Sequence, residues 1–190
     1  IEGILEDDES RIRENSFALF AEYAFHIRQL QVRAGVRYEH LASDYFEEDK
    51  RIDEQSRTYN NVFPSISLSL PVGKAQLQLS YTGSIYRPSY WMLRSNATYI
   101  NRYTYESGNP LLRPSVINRL SFNASYKWLY FNTRYIHGRD AILQLSQAYS
   151  EDDPTVSLFS FYNRYCSDKL YSSLTIAPTI GIWSPQLTLM

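Results

Sequence analysis

The chain has 190 residues, enough for one domain with a substantial core, and its formal net charge is −1. Nucleic-acid-binding proteins carry concentrated basic patches, and this charge balance gives no reason to propose one. Aromatic residues are abundant, with 17 tyrosines and 9 phenylalanines, and their place in periodic segments favours an all-β protein. No run of residues approaches the ~20 consecutive apolar positions that a membrane-spanning helix needs.

The chain opens with charged residues and continues with alternating ones. Residues 1–15 are mostly charged and lack a period, so we expect the end of a polar loop there. Alternating apolar residues then predict strands over residues 17–27 and 30–38, with a tight turn between them. Arg33 and Arg37 lie opposite the apolar face of the second strand. Charged side chains in that position suit a hydrated interior and would be costly in a dry core.

The mixed-charge stretch 42–60 predicts a solvated loop, and alternation resumes at residues 62–70, where serines separate the apolar residues. A turn is predicted at residues 71–74, because proline presets φ and glycine permits positive φ. The next strand, residues 75–86, alternates almost without error between apolar and uncharged polar side chains. A period of two over this length indicates a strand whose two faces meet different media.

A long polar segment follows to residue 114, and then the alternation returns. It predicts strands over residues 116–126 and 129–149, joined by a tight turn, and an acidic loop at residues 150–154. A descending strand over residues 156–178 and a turn at 181–183 complete the pattern, and the chain ends on the next ascent. We count seven strands and the start of an eighth.

The connections at one end of the predicted strands are short, and those at the other end are long. Tight turns fall near residues 28, 72, 128 and 182, whereas the connections between them on the other side are charged or rich in Tyr and Asn. Short turns on one side and long loops on the other are typical of outer-membrane barrels. Several aromatic residues lie near the tight turns, where an interfacial girdle belongs; they are Phe25, Tyr126, Trp128, Tyr130 and Trp183.

Two motifs flank the long polar segment. The run YRPSYW at residues 86–91 and the run GNPLLRP at 108–114 resemble the TonB-dependent receptor and related outer-membrane β-barrel family of Gram-negative bacteria. In that family an R-P strand end and a GNP-L-x-P segment bracket one external loop. AGVRYE at residues 34–39 is similar to the family's GxRYE strand, and residues 135–142 are similar to its Y…D-x-I strand. The resemblance covers residues 17–189.

The resemblance implies an all-β fold, an antiparallel up-and-down meander that is part of a transmembrane outer-membrane β-barrel. Residues 1–190 would form one partial barrel domain of about seven strands plus the start of an eighth. Large plugged transporters have about 22 strands. Because the sequence opens without a signal peptide and ends inside an alternating run, we expect a fragment of a longer protein, with no plug domain in this stretch.

The function that the resemblance implies is TonB-dependent uptake of a nutrient or other ligand across the bacterial outer membrane, without enzymatic activity and without a cofactor. The implied partners are outer-membrane lipid, an unknown nutrient ligand, and the TonB complex through parts of the parent protein outside this chain. Nucleic acid is not among them.

The candidate ligand-binding residues lie in the loop between the two motifs. Aromatic side chains there could stack on a sugar, peptide or aromatic ligand, and arginines could fix its polar groups; these residues are Arg87, Tyr90, Trp91, Arg94, Arg102, Tyr103 and Tyr105, with Tyr99 and Asn109 as further candidates. The alternative is that the loop residues only shape the backbone. We favour that role for Pro88, Gly108, Asn109 and Pro110, because their turn chemistry explains them well.

Two other classes of protein compete with this interpretation. A soluble antiparallel β protein, lipocalin-like or a sandwich that binds a small ligand, would pack its apolar faces on each other. An outer-membrane barrel enzyme such as a lipase would need a Ser–His pair on an outward face. His137 has the lipid-facing parity, but no serine partner is evident in the sequence. The three histidines also match no metal-binding spacing, so we expect no metal site and no enzyme.

Overall fold

The structure is a computed structural model that describes residues 10–47, 49–53, 56–150 and 155–190. Its strands are β1 (Ser10–Ile27), β2 (Leu30–Glu47), β3 (Lys50–Arg51), β4 (Arg57–Val72), β5 (Ala75–Tyr86), β6 (Ala97–Asn101), β7 (Thr104–Ser107), β8 (Ser115–Tyr126), β9 (Leu129–Ala148), β10 (Ser157–Ile176) and β11 (Leu187–Leu189). One short helix, α1 (Tyr90–Leu93), lies between β5 and β6. Among these residues no helix is long and apolar enough to cross a membrane.

The long strands form one sheet, which we call the wall, in the order β1-β2-β4-β5-β8-β9-β10, and each pair of neighbours is antiparallel. β11 pairs with the last residues of β10. The predicted all-β antiparallel meander is therefore confirmed, with one exception. Strand β7 pairs in parallel with the first residues of β10, and β6 pairs with β7.

The tight turns gather at one edge of the wall, which we call its lower end. The structure has two-residue turns at residues 28–29, 73–74, 127–128 and 181–182, which confirms the four predicted positions. The first residue of each turn has a positive φ, 60° at Gly73 and 61° at Gly181. Glycine adopts this left-handed conformation without steric cost, which explains its place in the second and fourth turns.

The two faces of the wall differ in chemistry, as the alternation predicts. One face carries large apolar side chains that stay exposed, among them Phe17, Leu19 and Leu170 at 55%, 59% and 71%. Buried hydrophobic residues in the described part of the chain number only four, so these faces do not close over a common core. In water such a face would be an aggregation hazard, whereas lipid provides the apolar surroundings that it needs. We call this the outward face and the polar one the lumenal face.

Tyrosines mark the upper edge of the apolar band on the outward face. Within the described residues, three of them donate to a polar side chain on the neighbouring strand: Tyr38 to Asn60 at 2.9 Å, Tyr81 to Asn118 at 2.8 Å, and Tyr135 to Asp168 at 2.6 Å. Each acceptor lies two residues above the residue paired with the tyrosine. These tyrosines stand six to eight residues above the tight turns, or roughly 15–20 Å for tilted strands, within an apolar band of about 25 Å.

Above this level the strands are longer than predicted. Residues 10–15 belong to β1, residues 42–47 to β2 and residues 57–60 to β4, so the loops predicted over 1–15 and 42–60 are wrong in these parts. Charged side chains are tolerated there because the ladder satisfies the backbone while water and opposite charges satisfy the side chains; Arg51 Nε, for example, donates to Asp44 at 2.8 Å. The rest of the predicted loop at 1–9 and most of the acidic loop at 150–154 lie outside the described residues.

Polar side chains of the lumenal face interact with one another, both across strands and within one strand. Arg33 lies 3.6 Å from Glu22, and Arg37 lies 2.9 Å from Glu39. This confirms the predicted inward orientation of both arginines. Tyr130 also lies on the lumenal face, beside Asn123 and Asn132, so its assignment to the lipid-facing girdle is wrong. The strand parity at β9 places it with the polar residues.

Candidate ligand-binding site

The connection between β5 and β8, residues 87–114, folds back over the lumenal face; we call it the inward loop. It reaches β1 through Tyr90, whose hydroxyl donates to Glu14 at 3.2 Å. It reaches β10 through Asn109, whose amide nitrogen donates to the carbonyl of Phe161 at 2.8 Å. β1 and β10 stand at opposite ends of the row of long strands, so this single connection spans the whole wall.

The root of the inward loop is held by a shared carboxylate. Glu39, with a side chain only 8% exposed, accepts from Arg37 at 2.9 Å and from Arg87, which pairs with its other oxygen. A buried carboxylate is stable when guanidinium groups satisfy both its oxygens. Arg87, predicted as a ligand residue, is therefore an anchor of the loop in this structure.

The GNP motif packs against the short helix α1. The backbone N–H of Asn109 donates to the carbonyl of Met92 at 2.6 Å. A Cβ at Gly108 would lie 2.8 Å from both the Arg94 nitrogen and the Met92 oxygen, so only glycine fits. The Asn109 side chain accepts from the backbone of Leu111 at 3.0 Å. These contacts explain Gly108 and Asn109 as residues that shape the backbone.

Three aromatic contacts fix the rest of the loop. The ring of Trp91 meets the ring of Phe161 edge-on, with centroids 4.9 Å apart, and Phe161 is 4% exposed. Tyr105 stacks on Tyr149 at 4.7 Å and meets Tyr99 edge-on at 5.6 Å. Such pairs favour defined ring orientations. Trp91 and Tyr105, both predicted ligand residues, thus face protein partners on part of their surface.

The tip of the β6–β7 hairpin is more exposed. Tyr103 is 54% exposed, and the guanidinium of Arg102 lies over its ring at 5.2 Å. Nearer the root, Arg94 lies 3.6 Å from Glu106, which also accepts from Gln144 at 3.2 Å. This hairpin places Arg102 and Tyr103 away from the residues at the root of the loop.

Beneath the root lie two adjacent cavities between the loop and the lumenal face of β1, β2 and β4; together we call them the loop cavity. The first, of about 50 Å³, is lined among others by Glu14, Ser43, Arg57, Tyr59 and Arg87. The second, of about 310 Å³, is lined by Arg11, Tyr90 and Arg94 with three residues that also line the first, which are Ile12, Tyr45 and Leu93. The structure therefore places Arg87, Tyr90 and Arg94 around the loop cavity, whereas Arg102, Tyr103 and Tyr105 are not part of its lining.

Tyr45 is the most deeply buried of the cavity-lining tyrosines, and sequence reasoning missed it, as it missed Glu39 and Phe161. It is 4% exposed, and its hydroxyl has no hydrogen-bond partner among the described residues. It was hidden in the stretch predicted as a loop. The available signal was parity, because Tyr45 continues the odd-numbered lumenal series of Arg37 and Glu39 along β2.

Charged side chains of both signs act on the tyrosines of the cavity. Burial raises the pKa of Tyr59, which lies above the apolar band, while the charges of Arg57, Arg113 and Arg87 act on that pKa in the opposite direction. At the edge of the cavity, the charge of Glu14 and its hydrogen bond raise the pKa of Tyr90. The three guanidinium groups thus favour negative charge near Tyr59.

The described residues contain no group of three or more His, Cys, Asp or Glu side chains that could hold a metal ion. His137, considered above for a lipase, has its Nδ1 2.8 Å from Asp168 on the outward face.

Comparison with known proteins fits this architecture. Residues 5–185 match the model of the Outer membrane protein beta-barrel family. The chain belongs to this family. The alternative of a soluble lipocalin-like or sandwich protein is therefore wrong, and the exposed apolar face is the lipid-facing wall of a bacterial outer-membrane β-barrel. No curated protein matches the sequence significantly.

Solved barrels share the fold of this outer-membrane wall at low sequence identity. The hemophore receptor HasR of Serratia marcescens, in complex with HasA and heme, is 14% identical with a TM-score of 0.66, and the match covers 92% of this chain and 33% of HasR. The copper transporter OprC is 14% identical with a TM-score of 0.69, and the match covers 92% of this chain and 29% of OprC. The ferric enterobactin receptor PfeA of Pseudomonas aeruginosa is 18% identical with a TM-score of 0.56, and the match covers 92% of this chain and 26% of PfeA. The chain spans a third or less of each of these structures.

Proposed function

We propose that this outer-membrane wall is part of a TonB-dependent transporter that takes up a nutrient or other ligand, and that the inward loop contributes to its ligand site. Solved structures with this fold support the proposal, because they include a hemophore receptor, a copper transporter and a ferric enterobactin receptor. The proposed partners are membrane lipid, the ligand, and the TonB complex through parts of the protein outside this chain. No enzymatic role is proposed.

The observation that carries the proposal is the inward fold of residues 87–114. An external loop that served only to connect two strands could remain in water, since loops of outer-membrane barrels extend outward. This loop instead bonds to Glu14, Glu39 and Phe161 along the wall. It therefore covers part of the lumenal face, and it holds Tyr90 and Tyr103, at 62% and 54% exposure, where a ligand could contact them.

The proposed ligand residues are those of the inward loop, in unequal roles. Arg102, Tyr103 and Tyr90 offer the most accessible groups and would contact the ligand directly. Trp91 and Tyr105 offer one side of each ring, while Arg87 and Arg94 act from the root of the loop. Side chains that stack and donate in this way suit a ligand with flat and acidic parts.

The test is uptake by cells that carry the full-length protein. Growth would be measured with heme, a copper complex or ferric enterobactin as the limiting metal source, in strains with and without TonB. We expect one of these to support growth only with TonB present, and a variant that replaces residues 97–107 by a short Gly-Ser linker to reach the membrane but lose uptake. Uptake that persists without TonB would contradict the proposal, because it would mean passive flow through a pore.

A further inference from the structure

Buried donors around the loop cavity lack acceptors. Among the described residues, the hydroxyl of Tyr45 and the Nε atoms of Arg87 and Arg94 are inaccessible to solvent and have no hydrogen-bond partner. All three side chains line the loop cavity, and Tyr45 lines both of its parts. Leaving a buried donor unpaired is destabilising, so each of these groups calls for an explanation, and an acceptor in the adjoining cavity would supply one.

Most of the charged side chains that line the loop cavity are arginines, which are hydrogen-bond donors. In the described part of the chain, four arginines and one glutamate line the loop cavity: Arg11, Arg57, Arg87, Arg94 and Glu14. Three of these arginines also pair with carboxylates outside the lining, Arg11 with Asp49 at 3.1 Å, Arg94 with Glu106 at 3.6 Å, and Arg87 with Glu39. Glu14 is engaged by the Tyr90 hydroxyl. The lining thus presents several guanidinium donors, and neighbouring carboxylates balance most of their charge.

We propose that the loop cavity binds a small oxyanion, the carboxylate or phosphate group of a ligand, with Tyr45, Arg87 and Arg94 as its donors. Its role as the place that receives an acidic part of the transported ligand rests on the proposed function. The size is suitable. A water needs roughly 10–15 Å³ of such volume, so the 50 Å³ part, lined by Tyr45 and Arg87, holds a group of about four oxygen-sized atoms. Arg94 lines the adjacent part together with Tyr45 and would act from that side.

Planar arginine donors and a tyrosine hydroxyl complement an oxyanion because each presents an N–H or O–H to oxygen lone pairs in fixed geometry. Tyr45 is the positioning element of the set, since it is almost fully buried and belongs to a strand rather than to the loop. Ordered water is the competing occupant, because water could also accept from each donor. If the cavity holds only water, the protein should not bind a dissolved anion at this site. Measuring anion binding therefore distinguishes an oxyanion site from a water site.

The experiment uses the full-length protein in detergent with inorganic phosphate as the probe, in a titration calorimeter at constant ionic strength set by chloride. Tyr45→Phe removes only the unpaired hydroxyl and keeps the ring. Its matched control is Tyr38→Phe, on the same strand but on the outward face, where the hydroxyl already donates to Asn60. Folding of each variant is checked by its mobility with and without boiling.

We expect saturable binding of phosphate to the wild-type protein, about tenfold weaker binding by Tyr45→Phe, as the loss of one charge-assisted hydrogen bond predicts, and unchanged binding by Tyr38→Phe. Arg94→Gln should weaken binding as well. Absence of saturable binding, or equal binding by Tyr45→Phe and wild type, overturns the inference and leaves water as the occupant.

The outcome is independent of the uptake test. TonB-dependent uptake together with no phosphate binding would overturn the oxyanion site and leave the transporter function intact. Phosphate binding that requires Tyr45, in a protein without TonB-dependent uptake, would support the site and contradict the transporter function.

Discussion

The lower and upper halves of the long strands are built from the same ladder of hydrogen bonds, but different forces orient their side chains. In the lower half each residue faces either lipid or the lumen, and Leu77 and Leu79 alternate with Gln76 and Gln78 on β5. In the upper half both faces of the strands meet water or protein. Side chains there pair with one another, as Arg51 does with Asp44. Contact with lipid requires an apolar side chain at every second position of the lower half. The upper half does not contact lipid, so its sequence need not alternate.

The two halves also differ in where side chains are buried. The buried residues Glu39, Leu41, Tyr45 and Phe161 all lie above the apolar band, around the inward loop. The lower half leaves its apolar residues exposed and relies on lipid to cover them. The packed interior of the described chain is therefore at the level of the loop, where sequence patterning is weakest.

The largest expected effect tests the lower half. Leu79→Arg places a charge on the outward face, where Leu79 is 40% exposed, and should destabilise the folded barrel by about 2–4 kcal/mol, as arginine does near the middle of a bilayer. Gln78→Arg, the adjacent lumenal position, should change stability little. The measurement is the free energy of unfolding by urea in lipid vesicles. Equal losses for the two variants would mean that the assignment of faces is wrong.

This contrast explains what the sequence could predict. The turns, the faces of the lower strands and the inward arginines follow from alternation, because lipid rejects polar residues at every second position. The upper parts of β1, β2 and β4 lack that alternation, and their pairing could not be read from residues 10–15 or 42–60. The inward loop depends on contacts between distant positions, such as Asn109 with Phe161 and Arg87 with Glu39.

The candidate site shows the same division. Its loop residues stood out by composition, since Tyr90, Trp91 and Arg94 follow a strand end with turn chemistry. Their partners Glu39, Tyr45 and Phe161 did not, because each lies on a strand and gains its role only when the loop folds onto it. The local sequence therefore identified the loop residues of the site but not the strand residues that they contact.

A second prediction tests the upper half through its shared carboxylate. Glu39→Ala leaves Arg37 and Arg87 without their common partner and should cost about 1–3 kcal/mol. This figure is below that of a fully buried pair, because both arginines are partly exposed. Glu22→Ala, which removes an exposed pair with Arg33 on the same face, should cost less than about 1 kcal/mol. Urea unfolding compares them, and similar values would remove the special role of the buried carboxylate.

A third prediction tests the contact that attaches the inward loop to β10. Trp91→Ala removes the edge-on contact with Phe161, worth about 0.5–1.5 kcal/mol beyond its burial, and should free the packed GNP motif. Hydrogen exchange at the Asn109 amide, which donates to Met92, should become faster. Trp183→Ala, at a 72% exposed position by a lower turn, serves as control. Unchanged exchange at Asn109 in Trp91→Ala would show that the loop is held without this ring.

The smallest expected effect is a pH-dependent one at the contact between the loop and β1. The charge of Glu14 and the hydrogen bond to it raise the pKa of Tyr90 above its ordinary value of 10.0. A group whose pKa is raised on folding stabilises the folded state below its unfolded pKa, and this contribution is lost as the pH rises through the folded value. Above that pH the tyrosinate repels Glu14, and the contact should loosen.

The loosening should be slight, because Tyr90 is 62% exposed and solvent screens the pair. Tryptophan fluorescence, followed as the pH rises past the ordinary tyrosine value, should report it through the adjacent Trp91. Tyr90→Phe should abolish this alkaline change, whereas Tyr103→Phe, at a similarly exposed position on the hairpin tip, should keep it. If both variants keep it, another tyrosine is responsible, and ionisation of Tyr90 beside Glu14 does not loosen the loop.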